Sequence, residues 1–236
     1  MRVLKVVLGL LLGLPVVVLA SLWLLYPPYS WGQKTTVVVE TPTGTKTGSG
    51  VVEVRWRDGP DLFPDAPHLT SRTSGEAVVV DLGSGRYLFA LITGADRLAL
   101  RVFGEKPLPT STNALIGSVK MARAQMGKGA ITLQPGEYPL LVTFGDIADP
   151  ASVRRVDPNN LSGVFGPGFT LKSITLEITD EPVTEGKVEQ VLGWLEAVGR
   201  ERAALIPYRK NDSSYKAIPS EVRSVSPSDF STELYK

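Results

Sequence analysis

The chain carries 21 consecutive uncharged, mostly apolar residues at 6–26, VVLGLLLGLPVVVLASLWLLY, and then changes character. From there apolar positions recur at period two or in short blocks separated by glycine and proline. Residues 34–41 (KTTVVVET) are rich in β-branched side chains and predict a strand. In residues 51–57, Val52, Val54 and Trp56 alternate with Glu53, Arg55 and Arg57, the pattern of a half-buried strand. The two should pair as a long hairpin, with residues 43–50 (TGTKTGSG) as the turn between them. The glycines of that turn lack the GxxxxGK[ST] order of a phosphate loop. Residues 76–82 (EAVVVDL) and 86–92 (RYLFALI) flank Gly83-Ser84-Gly85 and predict a second hairpin, made of strands covered on both faces.

Residues 95–103 (ADRLALRVF) fit either a short helix or a strand. Over 110–125, Leu115, Val119, Ala122 and Met126 share one helical face, with Ser111 or Thr112 as cap and Gly127 and Gly129 as the stop. Residues 131–133 and 138–144 (YPLLVTF) read as extended, with Pro139 at a strand's beginning or edge. Asp149-Pro150 and Asp157-Pro158 each carry a cap-then-proline signature, the second leading into a short helix to about Phe165. Residues 169–180 (FTLKSITLEITD) alternate, with a register break near Ser173. A helix over 184–198 should bury Val188, Val191, Leu195 and Val198 and leave Glu185, Lys187 and Glu189 on its solvated face. Beyond Pro207 the chain is polar, with Tyr208, Tyr215, Phe230 and Tyr235 spaced through it, and reads as an extended tail or one lying along the domain.

As a helix, the 21 residues of the apolar run reach about 31 Å, matching a hydrocarbon core of about 30 Å. Arg2 and Lys5 precede it and no acidic residue comes before Glu40, so the positive-inside bias puts the N-terminus in the cytoplasm and the domain across the membrane. Trp23, Tyr26, Tyr29 and Trp31 cluster at the far end as membrane-interface anchors, and Pro27-Pro28 stop the helix. Pro15 kinks the span, and the GxxxG pair Gly9 and Gly13 offers a helix-dimer contact. A cleaved signal peptide is the rival reading, with Val18-Leu19-Ala20 as the cleavage site. The apolar run continues through residues 22–26, past that site, which favours a retained anchor.

Composition narrows the chemistry. The chain has no cysteine, which removes disulfides, thiolate metal sites and cysteine nucleophiles together. Its one histidine, His68, falls in a loop over 58–75 and argues against histidine-based zinc sites and catalytic dyads. Without Arg2 and Lys5 the chain keeps 23 basic against 24 acidic residues, a balance with no nucleic-acid footprint. Asp146, Asp149, Asp157 and Asn159 do not follow the spacing of a calcium loop, and helix capping explains most of them. Ser118 and Lys120 could suggest a nucleophile pair, but residues two apart on a helix do not face each other. Asn160-Leu161-Ser162 and Asn211-Asp212-Ser213 match glycosylation sequons, which matter only for a eukaryotic secreted protein. No catalytic, cofactor-binding or metal residue stands out, and no cofactor is expected.

The string DPASVRRVDPNNL…FGPGFTLKSITLEITDEPVTEGKVEQVLGWL, over residues 149–195, resembles a group of uncharacterised bacterial proteins with one N-terminal membrane span. The resemblance extends over much of the soluble part and implies an inner-membrane anchor with an exported domain. It transfers no activity and no site residues.

The expected fold is α+β: one N-terminal transmembrane helix, then a mostly antiparallel sheet of six to eight strands covered by two or three helices. The expected divisions are a cytoplasmic N-terminus (1–5), the transmembrane helix (6–26), a juxtamembrane linker (27–34), the extracytoplasmic α+β domain (35–206) and a polar C-terminal tail (207–236). The expected function is a non-enzymatic accessory or interaction protein whose partners are the lipid bilayer and another membrane or envelope protein. One alternative is a module binding a small molecule or a lipid in a pocket between the sheet and the 184–198 helix. Another is a carboxylate-dependent hydrolase drawing on Glu137, Asp146, Glu177 or Asp180, which requires two of them to converge.

Overall fold

The computed structural model describes residues 28–59, 69–200, 204–209 and 212–235. The expected span with Gly9, Gly13, Trp23 and Tyr26 lies outside these residues, as does His68. Among the described residues no helix is long and apolar enough to cross a membrane. The domain is α+β, with two antiparallel sheets rather than one, and several short helices.

The first sheet is built on a long hairpin. Strand β1 (Tyr29–Thr41) pairs along its length with β2 (Gly44–Arg57), from Tyr29 opposite Trp56 to Thr41 opposite Gly44. The turn is thus only Pro42-Thr43, and the glycine-rich run at 44–50, expected as a turn, is strand. The expected linker over 27–34 is likewise mostly strand, because β1 begins at Tyr29. On its other edge β1 pairs with β9 (Thr170–Thr179). There the predicted register break appears as a bulge: Ser173 faces Val38 and Leu171 faces Val39, so Lys172 is extra and its ammonium reaches Glu40 at 2.7 Å. Strand β3 (Thr70–Ser74) flanks β2, and β6 (Ile131–Thr132) flanks β9.

The second sheet runs β4 (Val78–Gly83), β5 (Arg86–Ala90), β7 (Leu141–Phe144) and β8 (Val153–Arg155). The predicted β4–β5 hairpin turns at Ser84-Gly85, where φ is 55° and 71°, two successive left-handed residues matching the twist of the strands. β4 crosses over β1 and β2 where β2 carries Gly48 and Gly50. A methyl group at residue 48 would overlap the Val79 carbonyl oxygen, and one at residue 50 would touch the Val78 side chain. Gly48 thus serves close backbone approach rather than a turn.

Helix α1 (Ala95–Phe103) settles the ambiguous segment, and α2 (Thr112–Arg123) forms where predicted, burying Val119 and Ala122. Short α3 (Ser162–Phe165) precedes β9. The helix expected over 184–198 is broken into α4 (Lys187–Val191) and α5 (Leu195–Gly199). Leu192 leaves helical geometry at φ −102° and ψ 70°, next to Gly193, which has no side chain to hold the turn.

The C-terminal segment completes the core. Phe230 is fully buried, edge-on to Phe89 at 5.5 Å between ring centroids and 5.7 Å from Phe144, which in turn packs against Trp194. Its carbonyl accepts the Ala77 N–H at 2.7 Å, and Glu76 bridges Ser231. Of the two readings of the polar C-terminal stretch, the described residues 212–235 therefore take the one that lies along the domain: an aromatic anchor within a polar run draws it into the core. Phe230→Ala should cost about 3–5 kcal/mol through the lost aromatic packing. Gly48→Ala should cost about 1–3 kcal/mol by forcing the β4 and β2 backbones apart. Urea unfolding midpoints at constant m-value check both.

Candidate functional site

At the odd positions of β1 the inward face reads Trp31, Gln33, Thr35, Val37 and Val39. Four of these, Thr35 excepted, are buried, and apolar neighbours flank the two polar ones: Gln33 lies between Val52 and Ile178, and Thr35 between Gly50 and Leu176. Gln33 is 1% exposed and its Oε1 accepts no hydrogen bond from the described residues. A buried acceptor left without a partner costs about 1–3 kcal/mol, which singles this side chain out. Trp31, expected as a membrane-interface anchor, is instead a core residue at 3% exposure, and its indole N–H also meets no acceptor among the described residues. Tyr29, the other expected anchor among the described residues, is half-buried with the Lys120 ammonium 6.0 Å from its ring centre.

Gln33 and Thr35 line a cleft between the two sheets, roofed by the start of α1. Gly50 belongs to the lining, and having no Cβ it leaves the cleft open at its own position. The cleft encloses about 420 Å³ including its mouth, and the space open to the centre of a water molecule is about 30 Å³. That admits about two or three water-sized groups. Val52, Val78 and Leu98 supply apolar wall, while Glu76 and Arg101 supply the charges. Arg101 is exposed and lies on the α1 face that also carries Gly94 and Leu98 toward the cleft, at helical spacings of four and three.

Beside the cleft sits a pair of carboxyls that sequence reasoning missed. Glu76 is 1% exposed, and its Oε1 and Oε2 accept the backbone N–H groups of Lys187 and Val188, each at 3.1 Å. Burial pushes the Glu76 carboxyl above its ordinary range against those two hydrogen bonds, and the neighbouring Glu189 raises it further. The Glu189 oxygens, expected on a solvated helix face, are buried without a donor among the described residues. The Lys187 ammonium instead reaches the Ser49 carbonyl at 3.3 Å. The signal in the sequence was a glutamate heading an otherwise apolar strand, EAVVVDL.

The four carboxylates considered for hydrolysis do not gather here. Glu137 accepts the Gln134 N–H and pairs with Lys106, Asp146 accepts the Ala148 N–H, Glu177 faces outward opposite Lys34, and Asp180 is exposed. Asp149 caps its proline-led turn as expected by accepting the Ala151 N–H, and Asp157 accepts the Asn159 N–H. Ser118 is fully buried under Gly104 whereas Lys120 is exposed, so they form no nucleophile pair. Among the described residues no three histidine, cysteine, aspartate or glutamate side chains converge as metal ligands. The chain matches no protein-family model, no curated protein and no solved structure.

The raised Glu76 carboxyl makes stability depend on pH with a definite sign. The folded protein holds this proton more tightly than the unfolded chain does, so its contribution is complete below the ordinary glutamate range. That contribution declines as pH rises through the raised folded value and is level above it. Glu76→Gln should remove this declining limb, and Glu189→Gln should shrink it by removing the repulsion. Urea titrations of the variants and the parent across pH 4–9 measure the difference; parallel curves for all three would contradict the assignment.

Proposed function

We propose that the chain is a single-pass protein of the bacterial cytoplasmic membrane. In this reading residues 6–26 cross the bilayer, the N-terminus stays in the cytoplasm, and the α+β domain sits outside as an accessory that binds another envelope protein. The carrying observation is the 21-residue uncharged run, which leads into β1 with only Pro27 and Pro28 between Tyr26 and Tyr29. The three Cα–Cα steps from Tyr26 to Tyr29 span about 11 Å at most, so the first strand starts close to the headgroup layer.

Charge near that end supports the reading. Tyr29 pairs with Trp56, and the adjoining β2 and β3 carry exposed Arg55, Arg57 and Arg72, with Arg55 directly opposite Arg72. Glu53 pairs with Arg55 at 2.8 Å, leaving the patch a net cationic surface. Like charges directly opposite on a sheet repel, and anionic lipid headgroups relieve that repulsion. Trp23 and Tyr26 take the interface role that Trp31 does not, and Gly9 with Gly13 offers a contact for a second helix.

A reporter fused after Lys236 should be active only outside the cytoplasm; activity inside would sink the topology. Photo-crosslinking side chains at positions 57 and 72 should give adducts with lipid or an integral membrane protein. Adducts confined to soluble proteins would remove the membrane-facing orientation. Trp31→Ala should lower stability by about 3–5 kcal/mol while leaving membrane partitioning unchanged in a flotation assay.

A further inference from the structure

We infer that the end of the domain formed by α2 and β6 seats on an anionic lipid bilayer, with β1 standing steeply on that surface. Four large apolar side chains stand exposed among the described residues, and three of them, Met121, Met126 and Ile131, fall in this one stretch. Met121 projects from the last turn of α2. Gly127 donates its N–H to the Ile178 carbonyl and Ile131 pairs with Leu176, so the chain after Met126 follows the edge of β9. Ile178 and Leu176 lie about 7 Å apart along their strand, which keeps Gly127 and Ile131 on one short front.

The surround is cationic. Residues 106–136 contain Lys106, Lys120, Arg123 and Lys128 and no aspartate or glutamate. Glu137 takes Lys106 at 3.3 Å, whereas Lys120, Arg123 and Lys128 stand exposed beside the methionines. Free anions would answer the cations and leave the methionines in water. A bilayer answers both, its acyl chains accepting the apolar groups and its anionic headgroups the ammonium and guanidinium groups.

The Lys120 ammonium lies 6.0 Å from the ring centre of Tyr29, the first residue of β1, so the patch is at the end of the sheet that residues 1–27 lead into. Tyr29 shares the inward face of β1 with Trp31 and Gln33, whereas Arg55 faces Ser30 on the outward one. Cations therefore flank the start of β1 on both faces of its sheet, and a flat anionic surface reaches both only if β1 rises from it. The inference rests on the single-pass reading proposed above, because so few charges and apolar groups hold a protein weakly and need the effective concentration that a span supplies.

The chain has no cysteine, so single cysteines labelled with bimane report from the full-length protein in vesicles of brominated lipid. Labels at Met121→Cys and Met126→Cys should be quenched about two-fold or more in mixed phosphatidylcholine and phosphatidylglycerol, and less in phosphatidylcholine alone. A label at Thr43→Cys, in the hairpin turn about 40 Å along β1 from Tyr29, should stay unquenched. Lys120→Glu combined with Arg123→Glu, both exposed positions, should bring the Met126→Cys label to the Thr43→Cys level. A label at Val16→Cys reads the span separately. If it is quenched while the labels at residues 121 and 126 match Thr43→Cys, as when a second copy or another protein covers this face, the docking surface is overturned and the topology stands. An unquenched Val16→Cys label overturns both. Equal quenching in phosphatidylcholine alone, unchanged by the charge reversals, overturns the anionic assignment.

Discussion

The edge of β4 lies directly on the middle of β2 because residue 48 has no Cβ. Much of the domain follows from that contact. It fixes the distance between the sheets, and with it the volume that Val37, Val39, Val78 and Val80 can fill. The contact also shapes the cleft, since Gly50 is one of its walls and Thr35 stands opposite Gly50 in the ladder. Small residues at a sheet crossing thus do two jobs, bringing backbones together at one position and leaving room beside them at the next.

A second constraint converges on residues 75–77. Gly75, at φ 130°, exchanges hydrogen bonds with Thr232, Glu76 bridges Ser231 and accepts the first N–H groups of α4, and Ala77 donates to Phe230. Thr184 meanwhile exchanges hydrogen bonds with Val51 of β2. Three distant parts of the chain are therefore held at one short stretch by backbone groups that would otherwise be orphaned in the interior. The buried carboxyl of Glu76 serves as acceptor where no strand is available to pair, which explains an ionisable group deep in a mostly apolar surrounding.

Local order was readable where periodicity or turn chemistry decides it. The alternation at 51–57, the Gly-Ser-Gly hairpin, the Asp149 cap and the break in β9 all appear where the residues indicate, and α2 buries Val119 and Ala122 of its expected face but ends before Met126, which is exposed. What failed was set by partners distant in sequence. Glycines at 44–50 signal a turn until β4 is known to cross them. Trp31 beside an apolar run signals an interface anchor until β2 and β9 enclose its strand. Phe230 in a polar stretch signals nothing until Phe89 and Phe144 leave a space its ring fits. The site was the least legible part, because Gln33, Glu76 and Arg101 lie far apart along the chain and meet only through the sheet crossing and the docking of α1.

The burial of Phe230 also orders events in time. β1, among the first described residues, cannot complete its sheet until β9 arrives, more than a hundred residues later, and the aromatic cluster stays open until residue 230 is in place. A chain emerging from a ribosome or passing through a translocation pore in N-to-C order is consequently without its finished core until nearly all of the described sequence has appeared. Until then the polypeptide stays loose, and it becomes compact only once its last core residue is in place.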